Sequence, residues 1–398
     1  MIITTFAHGN GPYSRTIDLG LAINKELDKR GCEEFPIIVP LVYGERQKRI
    51  MLEDFKYIIE ENPNSILLDE FYGQILNELF FKGDDFNKHL EHLLKNQPKL
   101  EEKLRDYLSG TLKLKRFDGS ERVINDKDIS FEISHNPRVA TGFKYSFYTT
   151  IGYFSEILER ASLEESLGFD KTLLMEVKTK IADKIENDKK IHFMPEPFVF
   201  SYDEKRKKLK DEIFTPPFIH VPRENKEDVP EGMYVMITGI DGLMGLFDEV
   251  SKFGMKLYYP PFIKNIEGAD NTHTPEFVAN PNIKFQFGRT GWSTVWWSHM
   301  TETPLIAPAY TKGDDPEIYF NEKTVKKFGL ATIFNPSLKS KDILLFADPL
   351  RYDMKKINEI LKSNYGILDG IDYTANIIVD FIINKDISHY RNVNPCLR

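Results

Sequence analysis

The sequence predicts an α/β protein with parallel β-sheets in two domains. The clearest sign is residues 283–334, where apolar runs and helical patterns alternate as strand, helix, strand, helix, strand. This alternation is typical of a parallel sheet, whose ligands bind at the carboxyl ends of the strands. Two more apolar runs, at 2–7 and 233–239, each end at a glycine turn that leads into a helix. The chain of 398 residues is also long for one hydrophobic core, which favours two domains.

Composition and charge favour a globular protein and exclude several other classes. Hydrophobic residues make up 41% and aromatic residues 13% of the chain, which is enough for a large core. The net charge is −8 and the basic residues are scattered, so no nucleic-acid-binding surface is expected. Cys32 and Cys396 are far apart and predict neither a disulfide framework nor a zinc site. No run of about 18 apolar residues predicts a membrane span. We expect a cytoplasmic protein, with peripheral attachment at the inner membrane surface left open.

In the first half, apolar runs and helical patterns alternate along the chain. The strand at 2–7 is followed by the turn HGNGPYSR and a helix that ends near Gly31. Further strands are expected at 35–44 and 65–69, with a helix at 45–61 between them. The other elements expected here are a charged helical region at 70–107, strands or a hairpin around 117–120, a helix at 169–187 and a strand at 191–202.

A polar, proline-rich stretch at 222–232 is predicted to link the two halves. The second half begins with the strand at 233–239, which ends in the glycine turn GIDG. The later elements expected are a helix through Leu246, strands at 255–260, 283–287, 304–309 and 331–334, and helices at 352–361 and 373–383.

Four loops at the carboxyl ends of predicted strands would converge if the two halves face each other. They are HGNGPYSR at 8–15, TGIDG at 238–242, GRTGWST at 288–294 and GDDPEIYFN at 313–321. Glycine turns before helices leave backbone N–H groups free at a positive helix end, which suits a phosphate or diphosphate. Each turn taken alone is equally compatible with a tight strand-to-helix connection that binds nothing.

The loop GDDPEIYFN at 313–321 adds acidic side chains to the edge where these strands end. Glu317 and Asn321 are four residues apart at the start of a helix, so they share one face. A carboxylate at this position can accept two hydrogen bonds from a ribose diol. Acidic residues also cap helix N-termini, and capping is the expected role of Asp314 and Asp315.

These residues resemble the C-terminal half of GT-B glycosyltransferases, particularly the MurG-like branch, which transfers N-acetylglucosamine from a UDP donor. The shared pattern consists of RTGWST at 289–294, TPLIAP at 303–308, Glu317 with Asn321, and FGLATIF at 328–334. The run YVMITGIDG at 234–242 is similar to the first strand and glycine loop of the same domain. The helix at 373–383 resembles the family's C-terminal helix, which returns to the N-terminal domain.

The resemblance implies a GT-B fold, in which two facing Rossmann-like domains with parallel sheets enclose a cleft. It implies an acceptor-side domain at 1–224, a nucleotide-sugar donor domain at 225–370, and a C-terminal helix at 371–398 that returns to the N-terminal domain. The implied activity is metal-independent transfer of a hexosyl or N-acetylhexosaminyl group from a nucleoside-diphosphate sugar. A UDP-sugar is the expected donor. The acceptor is not identified, and lipid-linked and saccharide acceptors are both open. No cofactor is expected beyond the nucleotide-sugar substrate.

The resemblance also implies donor-binding residues. Backbone N–H groups and hydroxyls of the glycine turns would hold the diphosphate, and Glu317 would bind the ribose. The residues concerned are Gly239, Asp241, Gly242, Arg289, Thr290, Gly291, Ser293, Thr294, Glu317 and Asn321.

The N-terminal loop matches the family except at one position. Related enzymes carry Gly-x-Gly-His-x-x-Arg before the first helix, with the histidine proposed to assist deprotonation of the acceptor. This chain has Gly9, Gly11 and Arg15 in place, with Asn10 between the glycines, but it has Pro12 where the histidine would be.

We therefore expect His8 to act as the base. A histidine with a pKa of about 6.5 can accept a proton from a sugar hydroxyl at neutral pH. Asp18 and His135 are alternative bases. The same donor site would also suit a nucleotide-sugar 2-epimerase or a non-catalytic nucleotide-sugar-binding protein, and Pro12 encourages the second of these.

Overall fold

The computed structural model has the α/β architecture with largely parallel sheets that the sequence predicts. It describes residues 2–6, 10–81, 83, 85–143, 145–188, 191–260, 270, 274–335, 342, 344–345 and 347–397, without the side chains of Phe6, Asn10 and Pro12. Within these residues, nine strands form one sheet and five strands form a second.

The larger sheet belongs to the first half of the chain. Its elements are β1 (Ile2–Phe6), α1 (Asn10–Lys29), β2 (Ile37–Pro40), α2 (Gly44–Asp54), α3 (Lys56–Glu61), β3 (Ile66–Asp69), α4 (Glu70–Glu78), α5 (Phe86–Leu108), β4 (Thr111–Lys115), β5 (Glu121–Asn125), β6 (Phe131–His135), β7 (Ser146–Thr149), α6 (Phe154–Leu163), α7 (Lys171–Val177), α8 (Asp183–Asp188), β8 (Ile191–Pro195) and β9 (Glu212–Thr215). The strand order is β5-β4-β3-β2-β1-β6-β7-β8-β9. The β4–β5 hairpin and the β3–β4 pair are antiparallel, and the other neighbours are parallel.

The smaller sheet belongs to the second half. Its elements are β10 (Gly232–Val235), α9 (Leu243–Lys252), β11 (Lys256–Tyr258), β12 (Ile283–Phe287), α10 (Trp292–Met300), β13 (Leu305–Pro308), α11 (Pro316–Lys327), β14 (Ala331–Phe334), α12 (Ala347–Tyr365), α13 (Gly370–Asn384) and α14 (Ser388–Arg391). The order β11-β10-β12-β13-β14 is parallel throughout. Because parallel strands end at the same edge, the loops after β12 and β13 are brought side by side.

Several elements differ in length from the expectation. The helix expected at 45–61 is divided at Phe55, whose buried ring sits in a non-helical turn between α2 and α3. The strand expected at 191–202 ends at Pro195, and Pro197 follows without the N–H group that a continuing ladder would need. The helix expected at 352–361 extends over the whole of α12, and its buried Leu350 and Tyr365 continue the helical spacing beyond both expected ends.

The two halves touch at several described contacts. Trp296 Nε1 donates to the Pro197 carbonyl at 2.9 Å, and Thr324 Oγ1 donates to the Val199 carbonyl at 2.8 Å. At the far end of the chain α13 lies along α1, where Arg30 and Asp380 form an ion pair of 2.6 Å. The division at 1–224, 225–370 and 371–398 stays a prediction. Among the described residues, no helix is both long and apolar enough to cross a membrane.

Candidate functional site

The turn after β12 leaves the start of α10 open. Gly291 is the N-cap residue, with φ −71°, and no side chain in the described chain caps the helix. The first turn of α10 contains no acidic residue. A Cβ placed on Gly291 would meet no atom within 4 Å, so there is space beside the first N–H groups. The helix therefore presents free donors and its positive end to that space.

The start of α11 lies against this turn. Asn321 is fully buried, and its Nδ2 donates to the Thr290 carbonyl at 2.9 Å and to Glu317 Oε1 at 3.2 Å. Its Oδ1 has no partner among the described residues. Asp315 caps α11 by accepting a bond of 2.9 Å from the Glu317 N–H. The shared face of Glu317 and Asn321 and the capping role of Asp315 are as the sequence predicts.

The environment of Glu317 changes its acidity. Burial raises the pKa of this carboxyl well above its usual range, and the charge of Asp315 adds to the rise. The hydrogen bond from Asn321 and the charges of Arg138 and Arg15 offset part of it. Glu317 therefore titrates at a higher pH than an ordinary glutamate.

The other residues predicted for this turn have different surroundings. Arg289 is exposed and forms an ion pair with Asp314. Thr290 is buried, whereas Ser293 and Thr294 are partly exposed in the first turn of α10. The hydroxyls at 293 and 294 are thus more accessible than that of Thr290.

Arg15 of α1 reaches this turn from the other half of the molecule. It is 6% exposed, and one terminal nitrogen donates to Ser293 Oγ. The other donates to His135 Nε2 at 3.3 Å, and the guanidinium carbon lies 5.5 Å from the centre of the Trp296 ring. Gly11 lies equally close, because a Cβ there would be 2.5 Å from Ser293 Oγ. The structure thus brings Gly11 and Arg15 together with the GRTGWST turn.

Of the three candidate bases, the structure describes His135 and Asp18 but not His8. His8 and Gly9 lie outside the described residues, and Asn10 begins α1 without a described side chain. His135 is buried between Arg15 and Thr149 Oγ1, which lies 3.2 Å from Nδ1. Burial and the charge of Arg15 lower the pKa of His135 well below its usual value, so this ring stays neutral. Burial raises the pKa of Asp18 to about 7, since the charges of His220 and Arg15 offset only part of it.

The turn after β10 contains two glycines whose positive φ angles shape it. Gly239 has φ 82° and Gly242 has φ 78°, both in the left-handed region that favours glycine. Asp241 between them is exposed, and α9 starts directly afterwards. These conformations explain the glycines without a ligand, so donor binding by this turn stays a prediction.

Sequence reasoning missed Arg138, in the loop after β6. Its guanidinium carbon lies 3.8 Å from the centre of the Phe154 ring, and Nη1 donates to the Asn136 carbonyl at 3.0 Å. The charge of Arg138 reaches Glu317 in the other half. No local pattern could have revealed this, because the two residues lie in different halves of the chain.

A possible ligand set for a metal lies where the chain crosses between the halves. In the described part of the chain, His220, Asp369 and Asp372 are close enough together to hold an ion. His220 Nδ1 lies 3.0 Å from Asp369 Oδ2, so this group already has internal partners. The expected independence from metal stays a prediction.

Comparison with known proteins identifies the fold. The sequence matches no protein-family model and no curated protein sequence. Arabidopsis thaliana UGT89C1, complexed with UDP-L-rhamnose, is similar in structure, with a TM-score of 0.56 at 11% identity over 95% of this chain and 97% of that chain. The glycotransferase of kitacinnamycin has a TM-score of 0.55 at 10% identity over 95% and 97%. LpCGTa in complex with UDP has a TM-score of 0.55 at 12% identity over 96% and 99%.

These likenesses span nearly the whole of both chains in each comparison. The GT-B fold, with two Rossmann-like domains, is therefore confirmed. The identities of 10–12% establish the fold alone, so the MurG-like branch and the activity stay predictions.

Proposed function

We propose that this protein is a glycosyltransferase that moves a hexosyl or N-acetylhexosaminyl group from a nucleoside-diphosphate sugar to an acceptor. A UDP-sugar is the first candidate donor. The observation that carries the proposal is the uncapped start of α10 beside the Glu317–Asn321 face, opposite Arg15 of the other half. This arrangement combines a place for a diphosphate with a carboxylate suited to a ribose.

The N–H groups at the start of α10 and the hydroxyls of Ser293 and Thr294 would hold the diphosphate. Glu317 would accept hydrogen bonds from the ribose, and Asn321 orients its carboxylate through the 3.2 Å bond. Transfer leaves negative charge on the departing diphosphate, which fixed donors and a helix N-terminus stabilise without reorganisation. These groups would serve in place of a metal ion.

The acceptor would bind on the N-terminal side, with His8 as the base. An acceptor hydroxyl attacks the anomeric carbon of the sugar, the bond to the diphosphate breaks, and the hydroxyl proton passes to the base. We place this reaction in the cytoplasm, at the inner membrane surface if the acceptor is lipid-linked.

A thermal-shift screen against UDP, GDP, TDP and CMP tests the donor site. Binding to the native state raises apparent stability, so the matching nucleotide is expected to raise the midpoint of thermal unfolding. A midpoint unchanged by all four ligands at millimolar concentration would remove the donor-site proposal.

Product analysis tests the reaction. Incubation with UDP-N-acetylglucosamine alone is expected to leave the sugar unaltered, and interconversion to its epimer would replace the transferase proposal by a 2-epimerase. With a competent acceptor, His8→Ala is expected to lower the rate by about 100-fold or more, the range of general-base catalysis. An unchanged rate would show that His8 is not the base.

A further inference from the structure

We propose that Arg15 is the cation that holds the donor diphosphate, so that the phosphate site is shared between the two halves of the molecule. This inference rests on the proposed function and adds a binding residue from the acceptor side.

The first observation is that Arg15 is a buried charge with no carboxylate at ion-pair distance. Arg15 is 6% exposed, and no carboxylate in the described chain forms an ion pair with it. The charges of Glu317 and Asp18 act on it without a direct contact. Its polar partners are the Ser293 hydroxyl and the neutral ring of His135, and its Nε has none among the described residues. Burying a charge is costly unless it is paired. An anionic ligand would supply the missing pair.

The second observation is the location of the partner hydroxyl. Ser293 lies in the first turn of α10, where the uncapped N–H groups meet open space beside Gly291. An anion in that space could bond with the helix donors, the hydroxyl and the guanidinium together. A diphosphate has enough oxygens and charge to satisfy both the helix end and the arginine fork.

The third observation concerns Arg289, which the sequence analysis names among the donor-binding residues. Arg289 belongs to the same turn, but it is exposed and already forms an ion pair with Asp314. Arg15 is 278 residues away from Ser293 in the chain and yet contacts it directly. Glu317 attracts Arg15 electrostatically but does not form a hydrogen bond or ion pair with it in the described structure. The structure therefore assigns the phosphate-facing charge to Arg15.

Gly11 brings the start of α1 close to the start of α10. A Cβ at Gly11 would lie 2.5 Å from Ser293 Oγ, so the absence of a side chain leaves room for this approach. When the donor is bound, Arg15 would contact the diphosphate from the acceptor side. The same arginine would stabilise the charge that develops on the leaving group.

Calorimetric titration with inorganic pyrophosphate, UDP and uridine tests the inference. The proteins are the wild type, Arg15→Gln, Arg15→Lys and the control Arg30→Gln. Arg30 directly follows the same helix but is paired with Asp380 and Glu26, away from Ser293. Arg15→Gln is expected to weaken pyrophosphate and UDP binding by about 10- to 100-fold, the range for bonds to charged groups. Uridine binding, which lacks the diphosphate, is expected to stay at the wild-type value.

The two further variants refine the expectation. Arg15→Lys keeps the charge without the planar fork and is expected to lose part of the pyrophosphate affinity. Arg30→Gln is expected to bind pyrophosphate as the wild type does. If Arg15→Gln does not fold, as judged by circular dichroism, the uncharged variant Arg15→Met takes its place: an affinity for pyrophosphate equal to that of the wild type overturns the inference.

The outcomes separate this inference from the proposed function. Undiminished binding of pyrophosphate and UDP by Arg15→Gln overturns the role of Arg15 and leaves the donor site standing. Arg15-dependent binding of pyrophosphate by a protein that binds no nucleotide of the thermal-shift screen upholds the anion site and overturns the proposed function. A wild-type protein that binds neither pyrophosphate nor any of those nucleotides overturns both.

Discussion

The position of Glu317 in the cleft alters the acidity of its carboxyl group. Its spacing from Asn321 is a property of the sequence, but its acidity depends on burial and on the neighbouring Asp315. Burial raises the pKa of Glu317 to about 8, so this carboxyl is only partly ionised at neutral pH. Ligand binding that needs the ionised form should therefore depend on pH in a range where ordinary glutamates do not titrate.

We predict that uridine binds more tightly at pH 8.5 than at pH 6.0. The ionised carboxylate of Glu317 accepts hydrogen bonds from the ribose, and its fraction increases as pH rises through the raised pKa. Glu317→Gln is expected to weaken binding by about tenfold at pH 8.5 and to remove the pH dependence. Calorimetry with uridine measures this without interference from phosphate ionisation, and a wild-type affinity that does not vary with pH would contradict the ribose role.

At the scale of elements, the start of α13 is locked to the segment that leaves the first sheet. The Gly370 N–H donates to the Pro217 carbonyl at 3.1 Å. A Cβ on Gly370 would lie 2.2 Å from that oxygen and 2.4 Å from the Pro216 oxygen. The two segments are close enough that only glycine fits between them.

Gly370→Ala is therefore expected to destabilise the fold by about 2 kcal/mol or more, because a rigid backbone must shift to admit the methyl group. The control is Gly110→Ala, where a Cβ would find its nearest atom at 3.6 Å and the backbone is not in the left-handed region. Denaturant unfolding followed by circular dichroism compares the two. Equal stabilities of the two variants would refute the close fit.

The same junction contains a titratable pair. His220 Nδ1 lies 3.0 Å from Asp369 Oδ2, which also accepts the Val221 N–H at 3.2 Å. Burial lowers the pKa of His220, but the hydrogen bond and charge of Asp369, together with the charges of Asp18 and Asp372, raise it overall. For Asp369, burial raises the pKa, but His220 and backbone donors lower it overall.

His220→Ala is expected to lose more stability at pH 5.5 than at pH 8.5. The raised pKa of His220 contributes stability that is complete below its unfolded value and disappears as pH rises through the folded value. The lowered pKa of Asp369 keeps the carboxylate ionised at pH 5.5. Because His220 is about half exposed, the difference should be about 0.5–1 kcal/mol. Thermal unfolding at the two pH values measures it, and a loss that does not depend on pH would count against the ion pair.

At the scale of the whole molecule, one buried carboxylate joins three distant segments. Glu196 follows β8 and is fully buried. It accepts bonds from the Leu397 N–H at 3.0 Å and the Cys396 N–H at 3.1 Å, and from the hydroxyl of Tyr365 at the end of α12. The first sheet, α12 and the segment at 396–397 are thereby held together.

Tyr365→Phe is expected to lower the free energy of unfolding by about 1–3 kcal/mol, since it leaves a buried carboxylate with one donor fewer. Tyr352→Phe on the same helix is the matched control, because Tyr352 is 70% exposed. Equilibrium unfolding in denaturant compares the two variants. If they unfold at the same denaturant concentration, Glu196 does not depend on the tyrosine.

The order and type of the main elements can be predicted from the sequence alone. The strands Ile283–Phe287 and Ala331–Phe334 lie where the apolar runs predict them, and the glycine turns precede helices as expected. These features follow from hydrophobic periodicity and turn chemistry, which act over a few residues. The Glu317–Asn321 pair was predictable for the same reason, since it depends only on helical spacing.

Which side chains meet in the cleft depends on the tertiary structure. Arg15 and Ser293 are far apart in the chain, and Arg138 and Glu317 lie in different halves of it. Their proximity depends on how two separately formed sheets face each other, which leaves no periodic trace in the sequence. The choice between Arg289 and Arg15 likewise depends on burial and on the ion pair with Asp314. Local patterns specify the elements, whereas desolvation and pairing of charges arise only when those elements come together.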